Sequence, residues 1–174
     1  MIQMFMWTKE ITMSSISLEL TQASQVMTKS LLAAKSDWTV AELAQFLVSS
    51  GITGAPVVNS DEQLIGVVSV TDIARHASGD ADDDRPDPGR DYYVDSLEFD
   101  HDHVLFEELS PTALGGTLVE EIMTPTIYDV TPDTSVKDVS KAMVQNKIHR
   151  VFVSDQQKVI GVISALDVLK LAVE

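Results

Sequence analysis

Residues 64–73, LIGVVSVTDI, return at residues 159–168 as VIGVISALDV, and this pair decides the fold. Five of the ten positions are identical, namely Ile65/Ile160, Gly66/Gly161, Val67/Val162, Ser69/Ser164 and Asp72/Asp167. Upstream of this pair, residues 26–59 align with residues 122–155 at a constant offset of 96. A repeat of this length is typical of a chain built from two copies of one structural unit.

Each copy contains the periodicity of an amphipathic helix. Apolar residues recur with helical spacing at Val40, Leu43, Ala44, Leu47 and Val48, and in the second copy at Val136, Val139, Met143 and Val144. The spacing predicts one apolar stripe along each helix. Thr39 and Ser135 are predicted caps at the start, with Asp37 and Asp133 just upstream, whereas Gly51 and Asn146–Lys147 are predicted ends.

Two short apolar runs follow each predicted helix and are separated by a polar turn, which predicts a β-hairpin. These runs are residues 55–58 and 64–70 in the first copy, and 151–153 and 158–165 in the second. Lead-in strands near 31–34 and 127–130 and closing helices at 73–77 and 168–173 complete a β-α-β-β-α unit. The predicted class is therefore α/β (α+β), and since one unit has too little core to stand alone, we expect the copies to pack sheet to sheet.

Composition and charge exclude several functions. The 174-residue chain has a net charge of −15 and no cysteine. The negative charge disfavours nucleic acid and anionic membranes as partners, because both are bound through clustered Lys and Arg. The absence of cysteine excludes disulfides and thiolate zinc sites, and it fits a cytoplasmic protein. No apolar run approaches the roughly 20 residues of a membrane span.

The charge is concentrated between the copies. Residues 79–115 contain 12 acidic and 2 basic side chains, and so carry −10 of the total. The chain accordingly divides into an N-terminal extension (1–21), repeat 1 (22–78), an acidic insert (79–116) and repeat 2 (117–174). Within the insert, the sequence Asp-His-Asp-His at residues 100–103 has the spacing of metal ligands on a strand, although such a cluster is more often solvated surface in an acid-rich loop.

The repeated Ser-x-x-Asp motif admits two interpretations. Ser69 and Asp72, like Ser164 and Asp167, stand directly before an apolar helix, where this spacing forms a capping box. An acid beside a sheet edge can also accept the hydroxyls of a ribose, and a serine can donate to a phosphate or ribose oxygen.

The order of these motifs resembles the tandem CBS (cystathionine-β-synthase) domain, also called a Bateman module. The resemblance rests on three segments in each copy: Val26-Met27-Thr28 and Ile122-Met123-Thr124-Pro125 at the entry, residues 54–58 and 148–153 in the middle, and residues 66–72 and 161–167 at the close. It implies two CBS repeats related by a pseudo-two-fold axis, an adenosine-nucleotide ligand, and a homodimer.

The resemblance also implies which residues would bind this ligand. Ser69 and Asp72 would share a site with His149 and Arg150, in which the two cationic side chains bind phosphate. Ser164 and Asp167 would share a second site, which has no cation, with Ile52, Thr53 and Gly54. The adenine contacts would come from Met27, Thr28, Ala55 and Pro56, with Met123, Thr124 and Val151 opposite. Phe152 replaces the proline usual at its position, where it could fill a pocket or stack on a base.

The function that these expectations support is regulatory. An AMP, ADP, ATP or S-adenosylmethionine ligand would bind between the two repeats and act, in trans, on an unidentified effector protein. The alternative is a dimerisation or protein-interaction module that binds no nucleotide and uses the acidic insert. An enzyme is not expected, because the sequence contains no nucleophile–base motif, cofactor fingerprint or P-loop.

Overall fold

The computed structural model describes residues 18–78, 92–93, 116–171 and 173. These residues contain the following helices and strands in chain order: α1 (Ala23–Val26), β1 (Ala34–Lys35), α2 (Val40–Ser50), β2 (Gly54–Val58), β3 (Leu64–Ser69), α3 (Val70–Ser78), α4 (Val119–Ile122), β4 (Asp129–Val130), α5 (Val136–Asn146), β5 (Arg150–Asp155), β6 (Lys158–Ser164) and α6 (Ala165–Lys170). The chain forms two compact units, which we call the first unit (Leu32–Ile127) and the second unit (Met1–Leu31 with Tyr128–Glu174).

Each unit contains one three-stranded sheet with the same topology. The strand orders are β1-β2-β3 and β4-β5-β6. In both sheets the first pair of strands is parallel and the second pair is an antiparallel hairpin with one register irregularity. The predicted β-α-β-β-α order is confirmed in both repeats, and so is the mixed α/β class.

Some predicted boundaries were wrong. The lead-in strands are only two residues long, because β1 and β4 pair with β2 and β5 over just two positions. The closing helices begin earlier than predicted, at Val70 and Ala165. They start there because the serine that ends each hairpin forms the first contacts of the helix.

The two long helices begin and end where the sequence indicates. Thr39 accepts a hydrogen bond from the Glu42 amide and Ser135 accepts one from the Asp138 amide, which satisfies an otherwise unpaired N–H in each first turn. At the other end, Gly51 and Lys147 take up the left-handed conformation, with φ of 63° and 55°. Both caps and both ends are therefore confirmed.

The predicted apolar stripes are confirmed except at their last position. Val40, Leu43 and Leu47 are fully buried in the first unit. Val48 and Val144 are exposed instead. Eight residues advance a helix by about 80° beyond two full turns, so these two valines lie at the margin of the stripe rather than on its centre.

The entry segments of the two repeats, residues 26–28 and 122–125, each pair with the sheet of the other repeat. Thr124, just before repeat 2 begins its own sheet, forms reciprocal backbone hydrogen bonds of 2.9 Å with Val67 on β3. Thr28 forms the equivalent pair with Val162 on β6, at 2.9 and 3.0 Å. The entry segment of each repeat thus adds a backbone pairing to the edge strand of the other repeat's sheet. The domain boundaries 22–78 and 117–174 remain a prediction about the sequence, whereas the compact units divide the chain differently.

Two repeated glycines make room for these pairings. A Cβ atom on Gly161 would lie 2.6 Å from Sδ, 2.9 Å from Cγ and 3.1 Å from Cβ of Met27. A Cβ atom on Gly66 would lie 2.7 Å from the Thr124 carbonyl oxygen and 3.0 Å from Sδ of Met123. The identities Met27/Met123 and Gly66/Gly161 therefore have a packing explanation.

We expect Gly161→Ala to lower the free energy of unfolding by about 1–3 kcal/mol, as overpacking does, and Met27→Ala in the same chain to restore part of that loss. Gly66→Ala should cost a similar amount, but Met123→Ala should not restore it, because the closest atom there belongs to the backbone. Urea unfolding of the four variants, followed by circular dichroism, measures both effects. Equal rescue in the two pairs would contradict this account.

Candidate functional site

The Ser-x-x-Asp motif of the first unit joins the end of β3 to the first turn of α3. Asp72 Oδ2 accepts hydrogen bonds from the Ser69 amide at 2.7 Å and from Ser69 Oγ at 2.8 Å. Arg75 Nη1 donates a hydrogen bond of 3.0 Å to Asp72 Oδ1 and forms an ion pair with it. The carboxylate is therefore fixed in orientation by its own helix.

The second unit repeats this arrangement. Asp167 Oδ2 accepts from the Ser164 amide at 2.9 Å and from Ser164 Oγ at 2.7 Å, while Oδ1 accepts from Lys170 Nζ at 2.8 Å. Burial raises the pKa of Asp167, but the hydrogen bonds from Lys170 and Ser164 outweigh it and hold this pKa below its ordinary value. Asp167 is thus held as a carboxylate at neutral pH.

The two motifs differ in their exposure to solvent. The side chains of Asp72 and Arg75 are 5% and 23% exposed, whereas those of Asp167 and Lys170 are 15% and 67% exposed. The ion pair of the first unit is consequently the more buried, and screening by water affects it less.

In the second unit Ser164 and Asp167 form a complete capping box, and in the first unit Asp72 accepts from the Ser69 amide as in such a box. These contacts leave each carboxylate some capacity to bind a ribose hydroxyl. A carboxylate oxygen has two lone-pair positions, and Oδ1 of each aspartate accepts one bond from the cation three residues later. Since Oδ2 already accepts two bonds, one lone-pair position of Oδ1 remains on each aspartate, and it can accept a hydrogen bond from one hydroxyl of a ribose. Ribose binding by Asp72 or Asp167 therefore stays a prediction that the capping contacts do not contradict.

The cationic segment of repeat 2 lies at the same hairpin end as its own Ser-x-x-Asp motif. Arg150 opens β5, and its Cα partner across the hairpin is Ser164. The carbonyl of His149, an exposed residue, accepts a hydrogen bond of 2.8 Å from the Ala165 amide. The second unit thus brings together His149, Arg150, Ser164 and Asp167. The predicted grouping of His149 and Arg150 with Ser69 and Asp72 joins residues of different units and stays a prediction from the resemblance.

At the equivalent hairpin end of the first unit, uncharged Thr53 and Gly54 stand at the positions of His149 and Arg150. Gly54 opens β2 and pairs with Ser69, and the carbonyl of Thr53 accepts a hydrogen bond of 2.8 Å from the Val70 amide. Thr53 is exposed, whereas Ala55 and Pro56 are buried in the strand.

An aromatic pair from the acidic insert also contacts this end. The Tyr92 and Tyr93 rings form an edge-to-face pair with centroids 5.2 Å apart, and both residues are buried. Tyr93 donates a hydrogen bond of 3.2 Å from its hydroxyl to the Thr126 carbonyl. The Tyr92 ring lies so close to Gly54 that a Cβ atom there would be 2.8 Å from its Cδ2. The aromatic and aliphatic residues from Tyr92 to Phe106 predict that this segment packs somewhere, and the burial of Tyr92 and Tyr93 agrees with that prediction. The sequence does not indicate that the pair packs beside Gly54.

Most of the predicted adenine contacts are packed within their own unit. Met27 is half-buried against Gly161, Met123 is half-buried against Gly66, and Thr124 is buried beside β3. Thr28 is exposed. Their contact with adenine stays a prediction. The question of Phe152 is answered, because its side chain is fully buried in the centre of β5 and fills the core.

Sequence reasoning also missed Arg75 and Lys170. Each stands three residues after the motif aspartate and contacts the same carboxylate oxygen. A signal for them exists, because the two cations occupy equivalent positions of the repeat and have the i, i+3 spacing of helical ion pairs.

Two further expectations concern metals and membranes. In the part of the chain that the structure describes, no three His, Asp or Glu side chains form a group that could hold a metal ion. The Asp-His-Asp-His sequence at 100–103 lies outside the described residues. No helix among the described residues is both long and apolar enough to cross a membrane.

Comparison with known proteins identifies both repeats. The family model of the CBS domain matches residues 23–79 and 119–174. The chloroplastic CBS domain-containing protein CBSX1 of Arabidopsis thaliana is 30% identical over 143 residues, which span 80% of this chain and 58% of that protein. The uncharacterized protein MJ1426 of Methanocaldococcus jannaschii is 32% identical over 127 residues, which span 68% of this chain and 72% of that protein.

Solved structures share the fold at lower identity. The CBS domain of a bacterial CNNM/CorC family Mg²⁺ transporter in complex with ATP has a TM-score of 0.65 at 18% identity, covering 96% of this chain and 97% of its own. CBSX2 in complex with AMP has a TM-score of 0.59 at 22% identity, covering 87% and 96%. The CBS domain pair of MJ0100, in complex with 5′-methylthioadenosine and S-adenosyl-L-methionine, has a TM-score of 0.57 at 21% identity, covering 87% and 94%. With the family model matched at both repeats and the topology seen in each unit, this chain belongs to the CBS domain family as a tandem pair.

Proposed function

We propose that this chain is a regulatory module that binds an adenosine-containing nucleotide and transmits the bound state to another protein. The observation that carries the proposal is the repeated Ser-x-x-Asp geometry, in which a carboxylate is held in one orientation by the serine before it. Such a preorganised carboxylate can accept a hydroxyl of a ribose at its remaining lone-pair position without first losing its own mobility.

His149 and Arg150 are the proposed phosphate ligands. Arginine presents a planar fork of donors that fits phosphate oxygens, and histidine supplies a further donor. Arg150 is the first residue of β5 and His149 directly precedes it, so the strand fixes the backbone at or next to both residues. In an acidic protein these local cations are what a phosphate would need.

The fold relatives support an adenosine ligand in particular. Three of the solved structures with this fold were obtained in complex with ATP, with AMP, and with 5′-methylthioadenosine and S-adenosyl-L-methionine. The ligands differ in charge and share the adenosine moiety. Adenine and ribose recognition is therefore the common element that we transfer to this chain, and the choice of phosphate or sulfonium is left to the experiment.

Regulation follows from the same proposal. A ligand shifts a conformational equilibrium only by its difference in affinity for the two states, so the module must take up at least two conformations. The chain spans 58% of the length of CBSX1. We propose that a separate effector protein responds to these conformations. A homodimer is also proposed, and the exposed Leu166 and Leu169 on α6 offer apolar area for it.

Thermal unfolding with added ligand tests the proposal. A ligand at 100 times its Kd stabilises a protein by about 2.7 kcal/mol, which corresponds to a rise in Tm of roughly 5–10 °C for a chain of this size. We expect such a rise with AMP, ATP or S-adenosylmethionine. Adenosine serves as the phosphate-free probe, and guanosine monophosphate controls for the base.

Two pairs of variants assign the roles. Arg150→Ala should remove most of the rise caused by AMP or ATP while leaving that caused by adenosine, whereas Lys141→Ala, which removes an equal charge from the exposed surface of α5, should change neither. Asp72→Asn should abolish the response to every adenosine ligand if Asp72 binds ribose, with Asp167→Asn as its counterpart. No rise with any ligand, in a folded wild type, would reject nucleotide binding and leave the interaction module as the better account.

A further inference from the structure

The two hairpin ends carry different residues at the aligned position that opens the middle strand. Gly54 and Arg150 are equivalent in the repeat, and each opens the middle strand of its sheet opposite the motif serine. In the second unit this position carries a guanidinium group. In the first unit it carries no side chain at all, and the Tyr92 ring lies against the backbone there.

The Tyr92 contact requires this glycine. A Cβ atom on residue 54 would be 2.8 Å from Tyr92 Cδ2 and 2.9 Å from the Val68 carbonyl oxygen, distances that real side chains do not show. A side chain as large as that of Arg150 would exclude the ring altogether. The missing side chain and the docked ring are therefore two halves of one local arrangement in repeat 1.

The ring is anchored and its surface is covered. Tyr93, which is fully buried, packs edge-to-face on Tyr92 and ties the pair to the Thr126 carbonyl through its hydroxyl. Tyr92 is only 6% exposed. A ring that stacks on an adenine must offer it a free face, with the two ring centroids about 4.5–7 Å apart. A ring this covered acts as a filler rather than as a stacking platform.

From this arrangement we infer that Tyr92 is a specificity-determining residue, which fills the place beside Thr53 and Gly54 and so leaves the chain with one fewer adenosine-binding site than its two repeats would form. The inference rests on the proposed function, which assigns Thr53 and Gly54 to a ligand. It gives the acidic insert a role through its aromatic pair, and it makes the cationic hairpin end of repeat 2 the functional one.

Isothermal titration calorimetry of the full chain with AMP and with adenosine tests the inference. Tyr92→Ala should bind one more ligand per chain than the wild type, and adenosine should show this gain most clearly because the opened place has no cation in Thr53 or Gly54. Tyr92→Phe is the matched control, since it keeps the ring and should bind as the wild type does. Should the alanine variant not fold, Tyr92→Leu keeps apolar bulk against the core and still removes the ring.

The possible results separate the two proposals. An unchanged number of sites in Tyr92→Ala or Tyr92→Leu, with AMP or adenosine still bound, overturns the filler role and leaves nucleotide binding intact. Weaker or lost binding in these variants also overturns it, because the ring would then be part of the binding surface. Binding of neither ligand to the wild type or to any variant, together with no thermal shift with ATP or S-adenosylmethionine, rejects the proposed function, and the inference with it.

Discussion

Phe152→Ala is expected to lower the free energy of unfolding by about 3–5 kcal/mol, the range measured when a large buried aromatic side chain is truncated. Phe152 is fully buried, and it lies on the central strand β5, between Asp129 of β4 on one side and Val162 of β6 on the other. Its neighbours in the sheet are fixed by the pairing of β5 with β4 and with β6, so they can close the resulting cavity only in part. Urea unfolding followed by circular dichroism measures the loss.

Two controls show that the effect belongs to the core. Phe152→Leu, which keeps most of the buried volume, should cost much less, and Val144→Ala should change stability by no more than about 0.5 kcal/mol because Val144 is 77% exposed. Phe152→Leu should also keep the thermal response to adenosine ligands. A small stability cost for Phe152→Ala, together with loss of that response, would instead assign Phe152 to the base.

The sequence predicts the helices of this fold well because their signals are local. The apolar stripe from Val40 to Leu47, the Thr39 cap and the left-handed Gly51 all lie within one continuous segment, and the structure confirms each. The pairing of each entry segment with the sheet of the other repeat could not be predicted in the same way. The pairing of Thr28 with Val162 joins residues far apart in the chain, and backbone hydrogen bonds carry no side-chain pattern.

The sequence likewise predicts the local contacts of the candidate site and not the long-range ones. Ser-x-x-Asp predicts a capping contact at both repeats, and the structure has it. The Arg75 and Lys170 contacts follow from helical spacing and could have been found. The composition of residues 92–106 predicts that this segment packs, but it does not predict where Tyr92 packs. The ring is located by its closeness to Gly54 and by the Tyr93 hydrogen bond, which join residues far apart in the chain.

Asp72→Ala is expected to lower the free energy of unfolding by about 3 kcal/mol, whereas Asp167→Ala should cost only about 1 kcal/mol. Both changes remove the acceptor for a serine amide, a serine hydroxyl and a cation. In the first unit, the change removes the acceptor that Asp72 provides to the buried Ser69 and to the largely buried guanidinium of Arg75. In the second unit, the ammonium of Lys170 is already in water and loses little.

The same comparison decides how ligand binding must be tested, because an alanine at Asp72 would remove a fold contact together with any ribose contact. Asp72→Asn keeps one carbonyl oxygen that can accept from Ser69, and its expected cost is therefore smaller. Denaturant unfolding of the alanine and asparagine variants at both positions gives the four values. If Asp72→Ala and Asp167→Ala cost the same, burial does not separate the two motifs. If Asp72→Asn stays folded yet gives no thermal shift with AMP, while Asp167→Asn still responds, the carboxylate of Asp72 contributes to binding beyond its cap.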